Sequence, residues 1–472
     1  MTVPTTLAIP TKAARLGTLA IEGAFAVAAA ARALDLAGRE VIHLELGQPD
    51  FPSPSHATAA GIRALEADDA KYTAPAGLPE LRTALLGYVR GRGIPAELDN
   101  IVVTSAAKPM LQYALLATVN PGDEVLIPNI GFPIYPSAVR LAGGTEREYA
   151  IELKDGRWQV DFDAIERSIT PRTRAIILNS PHNPTGWTAT REEMERLGRM
   201  AEKHNLWVIS DEIYSGLAYD YPDGSSPSAA AVPGLLDRTV IIDGFSKRWS
   251  MTGWRLGFGV VPKALYEDFV ALIINNTSCT PPFIQRGGLA AVEGSQDVVH
   301  ALRKSLHERR DRFVAGLNSV PGMTCALPAG AFYALTDVRP CSRSPGLPRS
   351  SFSHACCRSL AWPDARARTL ARPAKGSCAF RLRPPRRNSI AASSCSPRPR
   401  RNSAGSSSYR SSDATASRPR SGRTICLFPF RRTEGEWTPD RRTLRSHESR
   451  PAVEGWRGSA DRPARVRHPQ RP

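Results

Sequence analysis

The sequence predicts an α/β fold built on a mostly parallel sheet flanked by helices. Three observations predict it. Short apolar runs recur along residues 1–337, and most are continuous, as expected of strands buried on both faces. Amphipathic segments with helix-start signals lie between them. Polar residues collect just after the apolar runs, where open α/β sheets bind their ligands.

The elements follow in order. Lys12, Arg15 and the run Gly23–Ala30 imitate a secretory leader, but Glu22 adjoins the run. The pattern flows on through Ala31–Leu36 as one helix. Val41–Leu46 reads as a first strand. Leu78-Pro79-Glu80 opens a helix with proline in its first turn. Ile101–Thr104, Val125–Ile127 and Ala175–Leu178 read as strands. Thr190-Arg-Glu-Glu193 is a capping box, and its helix runs to about His204. Trp207–Ser210, Thr239–Ile242 and Leu256–Val260 are further strands, and a longer helix covers Asp297–Asn318.

The 472 residues carry a formal charge of +17, which by itself suggests a nucleic-acid or membrane partner. Its location argues otherwise. Residues 338–472 hold 30 Arg and Lys against eight acidic residues, a net +22, and residues 1–337 carry −5. The tail also holds six of the eight cysteines, 22 serines and a single lysine, Lys375. A basic nucleic-acid arm, an unusual folded domain and an out-of-frame translation of a GC-rich gene all compete to explain it. The near-absence of lysine and the spent cysteines favour the last, with no sustained helix or strand period expected there. Cys356-Cys357 lacks metal-site spacing, and no metal site is expected. No run approaches the roughly 18 apolar residues of a membrane span. Only Cys279 and Cys325 fall in residues 1–337, which suits the cytoplasm. The expected domains are 1–49 (N-terminal segment and part of the small domain), 50–285 (large domain), 286–337 (start of the C-terminal small domain) and the 338–472 tail.

Neither common nucleotide fingerprint is present. The chemistry sits at strand ends: Asn179-Ser-Pro-His-Asn-Pro-Thr-Gly186, Asp211-Glu-Ile-Tyr214 and Asp243-Gly-Phe-Ser-Lys-Arg-Trp-Ser-Met-Thr-Gly-Trp-Arg255. A lysine closing an apolar strand is costly unless paired or neutral. A desolvated lysine is the amine that forms Schiff bases with carbonyls. Ser246 and Arg255 offer a hydroxyl and a forked cation, which suits a phosphate. An aspartate ending a nearby strand would hold a protonated ring nitrogen. Together these parts describe a pyridoxal 5′-phosphate site.

In that order, NSPHNPTG, SDEIY and GFSKRWSMTGWRLG resemble the class I/II aminotransferases, with fold type I of the pyridoxal-phosphate enzymes implied, a large domain with a smaller α/β domain beside it. LGQPDF at 46–51 and KYTAPAGLPELR at 71–82 match as well, and the resemblance covers about 15–337. It implies that Lys247 bonds the cofactor and shuttles the substrate Cα proton. It implies that Asp211 keeps the pyridine nitrogen protonated, and that Asn183 and Tyr214 hydrogen-bond the phenolic oxygen. Ser246 and Arg255 match phosphate ligands, joined by the backbone N–H groups of Ala106, Ala107 and Lys108 at a helix start. Phe132 matches a ring that stacks on the cofactor. Gly47, with Asn183, lies near the substrate carboxylate. Tyr72 matches a tyrosine reaching the neighbouring subunit's phosphate, which implies a homodimer with shared sites. The implied partners are an amino acid and a 2-oxo acid.

Two departures are modest. Ser105-Ala-Ala-Lys108 stands where the family usually has a glycine-containing loop, and Gly244 replaces a hydroxyl residue. A third is larger: no residue of 338–472 convincingly matches the family's second substrate arginine, and Arg381 is the nearest echo. Decarboxylases, C–S lyases and cyclopropane-forming synthases of this fold use the same constellation. A catalytically silent cofactor-binding protein with a basic arm is the alternative from another class. His43, His56, His182 and His204 have no partner that the sequence assigns.

Overall fold

The computed structural model describes residues 11–19, 23–38 and 41–337, together with the backbone of 425–429. In chain order the elements begin with α1 (Gly23–Leu36), α2 (Ser55–Glu66), α3 (Pro79–Gly91), β1 (Ile101–Thr104), α4 (Ala107–Thr118) and β2 (Glu124–Pro128). Then come α5 (Ile134–Leu141), β3 (Thr145–Tyr149), the hairpin β4 (Ile151–Lys154) and β5 (Arg157–Val160), and α6 (Phe162–Ser168). The central stretch holds β6 (Thr173–Asn179), α7 (Arg191–Lys203), β7 (Trp207–Asp211), β8 (Thr239–Gly244), the short α8 (Phe245–Arg248) and β9 (Gly257–Val260). Next are α9 (Tyr266–Thr277), α10 (Pro282–Glu293), α11 (Asp297–Asn318), β10 (Thr324–Cys325), β11 (Tyr333–Asp337) and β12 (Ile425–Pro429).

Seven strands form the main sheet in the order β1-β9-β8-β7-β6-β2-β3. β8, β7, β6, β2 and β3 pair in parallel, and β9 is antiparallel to both β8 and β1. Because β1 and β8 both oppose β9, they run in the same sense. The carboxyl ends of β1, β6, β7 and β8 therefore share one edge, and the segments that begin at Ser105, Ser180, Glu212 and Phe245 leave the sheet there.

The period-2 alternation of strands sorts their side chains between the two faces. Ile176, Leu178 and Val208 pack with Met194, Leu197 and Ala201 of α7. Ala175, Ile177, Ile209 and Ile242 pack on the other side with Met110 and Leu111 of α4 and Phe269 of α9. Val103, Ile241 and Phe258 meet Leu81, Leu85 and Val89 of α3. The Thr190 box forms as expected: Thr190 Oγ1 accepts from Glu193 N at 3.2 Å, and Glu193 Oε2 accepts from Thr190 N at 2.8 Å.

Three readings of the sequence need correction. Val41–Leu46 is not a strand: it has no ladder partner, and Leu44 instead joins a cluster with Leu217, Leu302, Leu306 and Phe332. β3, β4 and β5 were not expected. Thr145-Glu-Arg-Glu-Tyr149 is too polar to read as a buried strand, because it sits at the sheet edge. Within the tail, where no strand was expected, the backbone of β12 pairs antiparallel with β11, Tyr333 opposite Pro429. Arg381 and the rest of the tail lie outside the described residues. No helix among the described residues is long and apolar enough to cross a membrane.

Candidate active site

Strand pairing sets the spacing of the site. Asn179 at the end of β6 is opposite Asp211 at the end of β7, and Asp211 is opposite Ile242 of β8. Asn179, buried, donates through Nδ2 to the Asp211 carbonyl at 2.8 Å and accepts from the Asn183 backbone N–H at 2.7 Å. One side chain thus fixes the loop that carries Asn183 to the strand that carries Asp211.

Asp211 is buried, and Oδ2 accepts from the Tyr135 hydroxyl at 2.7 Å. Burial pushes its carboxyl up to about 6, while the Tyr135 hydroxyl and the Ile213 N–H pull it back. Burial, with the Asp211 charge beside it, holds the Tyr135 hydroxyl well above the ordinary tyrosine range. The Lys247 charge also pulls the Asp211 carboxyl back, without offsetting the burial. A protonated ring nitrogen would stabilise such a carboxylate further, and in this respect the residues fit a pyridine cofactor.

Tyr214 follows on the same turn. Its hydroxyl is 2.6 Å from that of Tyr333 and accepts from Asn183 Nδ2 at 3.5 Å. Burial first, then Tyr333, raises its pKa well above the ordinary value. Lys247 projects from α8, and Nζ donates to the Gly47 carbonyl at 2.6 Å. The ammonium stands 5.8 Å from the Tyr214 ring centroid and 5.5 Å from that of Phe332, near enough for cation–π attraction. Lys247, Asp211, Asn183, Tyr214 and Gly47 are therefore brought together.

The residues that the resemblance assigns to a phosphate follow from β1. Ala106, buried, precedes α4 with φ +84°, a backbone region that costs a residue with a Cβ. The position thus keeps a glycine-type conformation without glycine. Gly257 of β9 permits it, since a Cβ there would lie 2.4 Å from the Ala106 carbonyl carbon and 2.6 Å from Ala107 N. Lys108 Nζ lies 5.3 Å from the centroid of Phe132, whose ring meets Tyr135 edge-on at 5.7 Å. Ser246 is half-buried on α8. Arg255 is exposed, and Nη1 donates to the Thr252 carbonyl at 2.7 Å. Tyr72 stands apart from the hydrogen-bonded cluster, 88% exposed.

Sequence reasoning missed Tyr135, Asn179, Phe332 and Tyr333. The sequence gives no local signal for the two rings of Gly330-Ala-Phe-Tyr333, which no motif covers. Three histidines also gain partners. His43 bonds Glu45 at 2.8 Å and Asp35 at 2.7 Å, and His204 bonds Glu166 at 3.1 Å. His182 Nδ1 lies 2.9 Å from Thr185 Oγ1, and burial takes its pKa down to about 3, so it is neutral.

Gly47 allows a close approach. A Cβ there would lie 2.3 Å from the Tyr333 hydroxyl and 3.0 Å from its ring. Gly47→Ala is expected to cost about 1–3 kcal/mol by overpacking. It would also move the carbonyl that Lys247 holds. Adding Tyr333→Phe should restore part of the loss, read from urea unfolding midpoints. Unchanged stability in Gly47→Ala would contradict the close contact.

The profile of the family described as aminotransferase class I and II matches residues 39–356. It begins later and ends further on than the 15–337 expected from the motifs. An aspartate/prephenate aminotransferase of Cereibacter sphaeroides is 40% identical over 318 residues, covering 67% of this chain and 79% of the relative. An aspartate aminotransferase of Geobacillus stearothermophilus is 36% identical over 328 residues, with coverages of 69% and 83%. Among solved structures, the aspartate aminotransferase of Thermus thermophilus with maleate superposes with a TM-score of 0.67 at 33% identity, over 71% of this chain and 87% of that one. The Rhizobium meliloti aspartate aminotransferase gives 0.66 at 33% identity, over 70% and 82%.

Proposed function

The chain belongs to the class I and II aminotransferase family, and from that premise we propose that it moves an amino group between an amino acid and a 2-oxo acid by a ping-pong route, with pyridoxal 5′-phosphate as its resident cofactor. One observation carries the assignment of residues. The lysine amine, the buried Asp211 carboxylate and the Asn183–Tyr214 pair converge at one sheet edge.

When bound, the cofactor supplies a conjugated ring that takes up the electron pair released at the substrate Cα. Lys247 would hold the cofactor through Nζ, and once the substrate amine has displaced it the freed Nζ would be the base for the Cα proton. Asp211 keeps the ring nitrogen protonated. Asn183 Nδ2 and the Tyr214 hydroxyl donate to the phenolic oxygen. The N–H groups of Ala106, Ala107 and Lys108, with Ser246 and Arg255, bind the phosphate. Phe132 stacks on the ring face. Gly47 and Asn183 lie at the substrate carboxylate. Tyr72 would serve the phosphate of a second copy in a homodimer acting in the cytoplasm, a reading that its exposure supports. The names of the relatives support aspartate as amino donor.

The test is a half-reaction. The chain loaded with pyridoxal phosphate should show a bound-cofactor absorbance band. Aspartate alone should discharge it, releasing one 2-oxo acid per site. Release of carbon dioxide would instead indicate a decarboxylase, and a band that no amino acid discharges would refute transamination.

A further inference from the structure

A second charged cluster lies in the core behind the site. Arg92, at the end of α3, donates through Nη2 to Glu212 Oε2 at 2.5 Å and through Nη1 to Asp243 Oδ2 at 3.5 Å. The three side chains are 3%, 0% and 2% exposed. Glu212 Oε1 also accepts from the Ser210 and Ser228 hydroxyls, each at 2.8 Å. Asp243 accepts from the Ser215 hydroxyl at 3.2 Å and from Gly244 N at 2.7 Å.

So many buried charges are costly, and apolar residues would serve stability at least as well. The cluster's place in the chain suggests what it does instead. Glu212 directly follows Asp211, and its backbone N–H donates to the Ile242 carbonyl at 2.8 Å. Asp243 is the penultimate residue of the neighbouring strand, four residues before Lys247. A single forked cation thus ties together the two strand ends that deliver the two reactive groups. Lysine, with a single point of charge, does not make such a fork.

We propose that Arg92 is a positioning residue: by bridging Glu212 and Asp243 it sets the register of Asp211 and Lys247 toward the cofactor. This rests on the pyridoxal-phosphate reading above. Burial lifts Asp243 to about 7; Arg92 pulls it back most, with the Gly244 N–H and the Arg248 charge acting in the same direction.

Visible circular dichroism of the bound cofactor reports its orientation, and its dissociation constant reports the fit of the site. Arg92→Lys keeps the charge but loses the fork. The double variant Arg92→Met/Glu212→Met replaces the main ion pair by apolar volume, and at pH 6 the Asp243 left behind takes up a proton, so its melting temperature there should stay within about 5 °C of the parent. Both should lose at least about half of the visible ellipticity per bound cofactor and bind the cofactor roughly tenfold more weakly. A scaffold role predicts otherwise: ellipticity and affinity would follow stability and recover in the double variant, which would overturn the proposal. Should the double variant not fold, Arg92→Lys decides, since parental ellipticity and affinity there would overturn it equally. A parent chain with no bound-cofactor band would overturn both readings. A normal band with unaltered variants would overturn this one alone.

Discussion

Replacing Lys247 by alanine is expected to abolish the bound-cofactor band and to slow transfer of the Cα proton by at least about 10³-fold. The amine is the group that bonds an aldehyde, and the Gly47 carbonyl and the Tyr214 and Phe332 rings hold it in place. The fold should survive the change. The lost hydrogen bond leaves one carbonyl unpaired, a cost of about 1 kcal/mol. Lys247→Arg separates charge from chemistry. The guanidinium keeps the positive charge but stays protonated, so it neither bonds the aldehyde nor accepts a proton. It should be as inactive as the alanine variant. Stopped-flow absorbance with aspartate measures both, and a parental band in Lys247→Ala would refute the assignment.

Asp211→Asn should lower the rate by about 10²–10³-fold, the usual loss when one preorganised electrostatic partner is removed. It keeps the shape and removes the charge that holds a ring nitrogen protonated. The same substitution tests the burial argument through pH. The carboxyl titrates at about 6 in the folded chain, above its ordinary value. The folded state therefore binds this proton more tightly than the unfolded state. Stability from this group is highest below about pH 4 and falls as pH rises to about 6, by about 3 kcal/mol in all. Asp211→Asn has no such penalty. Its melting temperature in cofactor-free protein should gain on the parent's across that window, then level off. Cofactor loading should shrink the difference, because the carboxylate then has a cation. A flat difference between pH 4 and 7 would show that burial does not perturb Asp211.

The strands most legible in the sequence are those buried on both faces. Ala175–Leu178 is an unbroken apolar run and Trp207–Ser210 is broken only by its final serine, and each forms a strand extending by one or two residues beyond it. Legibility failed where burial is one-sided or absent. The edge strand Thr145–Tyr149 is mostly polar. Val41–Leu46 carries a strand-like composition, but its apolar side chains pack into a cluster and its backbone joins no sheet.

What the sequence by itself determined is which residues stand at strand ends with chemistry to offer: Asn183, Asp211, Tyr214 and Lys247 each follow a readable apolar run. Only the tertiary structure decided what closes on them. Tyr135 reaches Asp211 across 76 positions, Tyr333 reaches Tyr214 across 119, and Arg92 reaches Glu212 and Asp243 across 120 and 151. Hydrophobic periodicity and turn signals act over a few residues, so they place a side chain on a face of its own element. They carry no information about which distant element will be packed against that face. The sheet order sets that, through the burial of apolar surface.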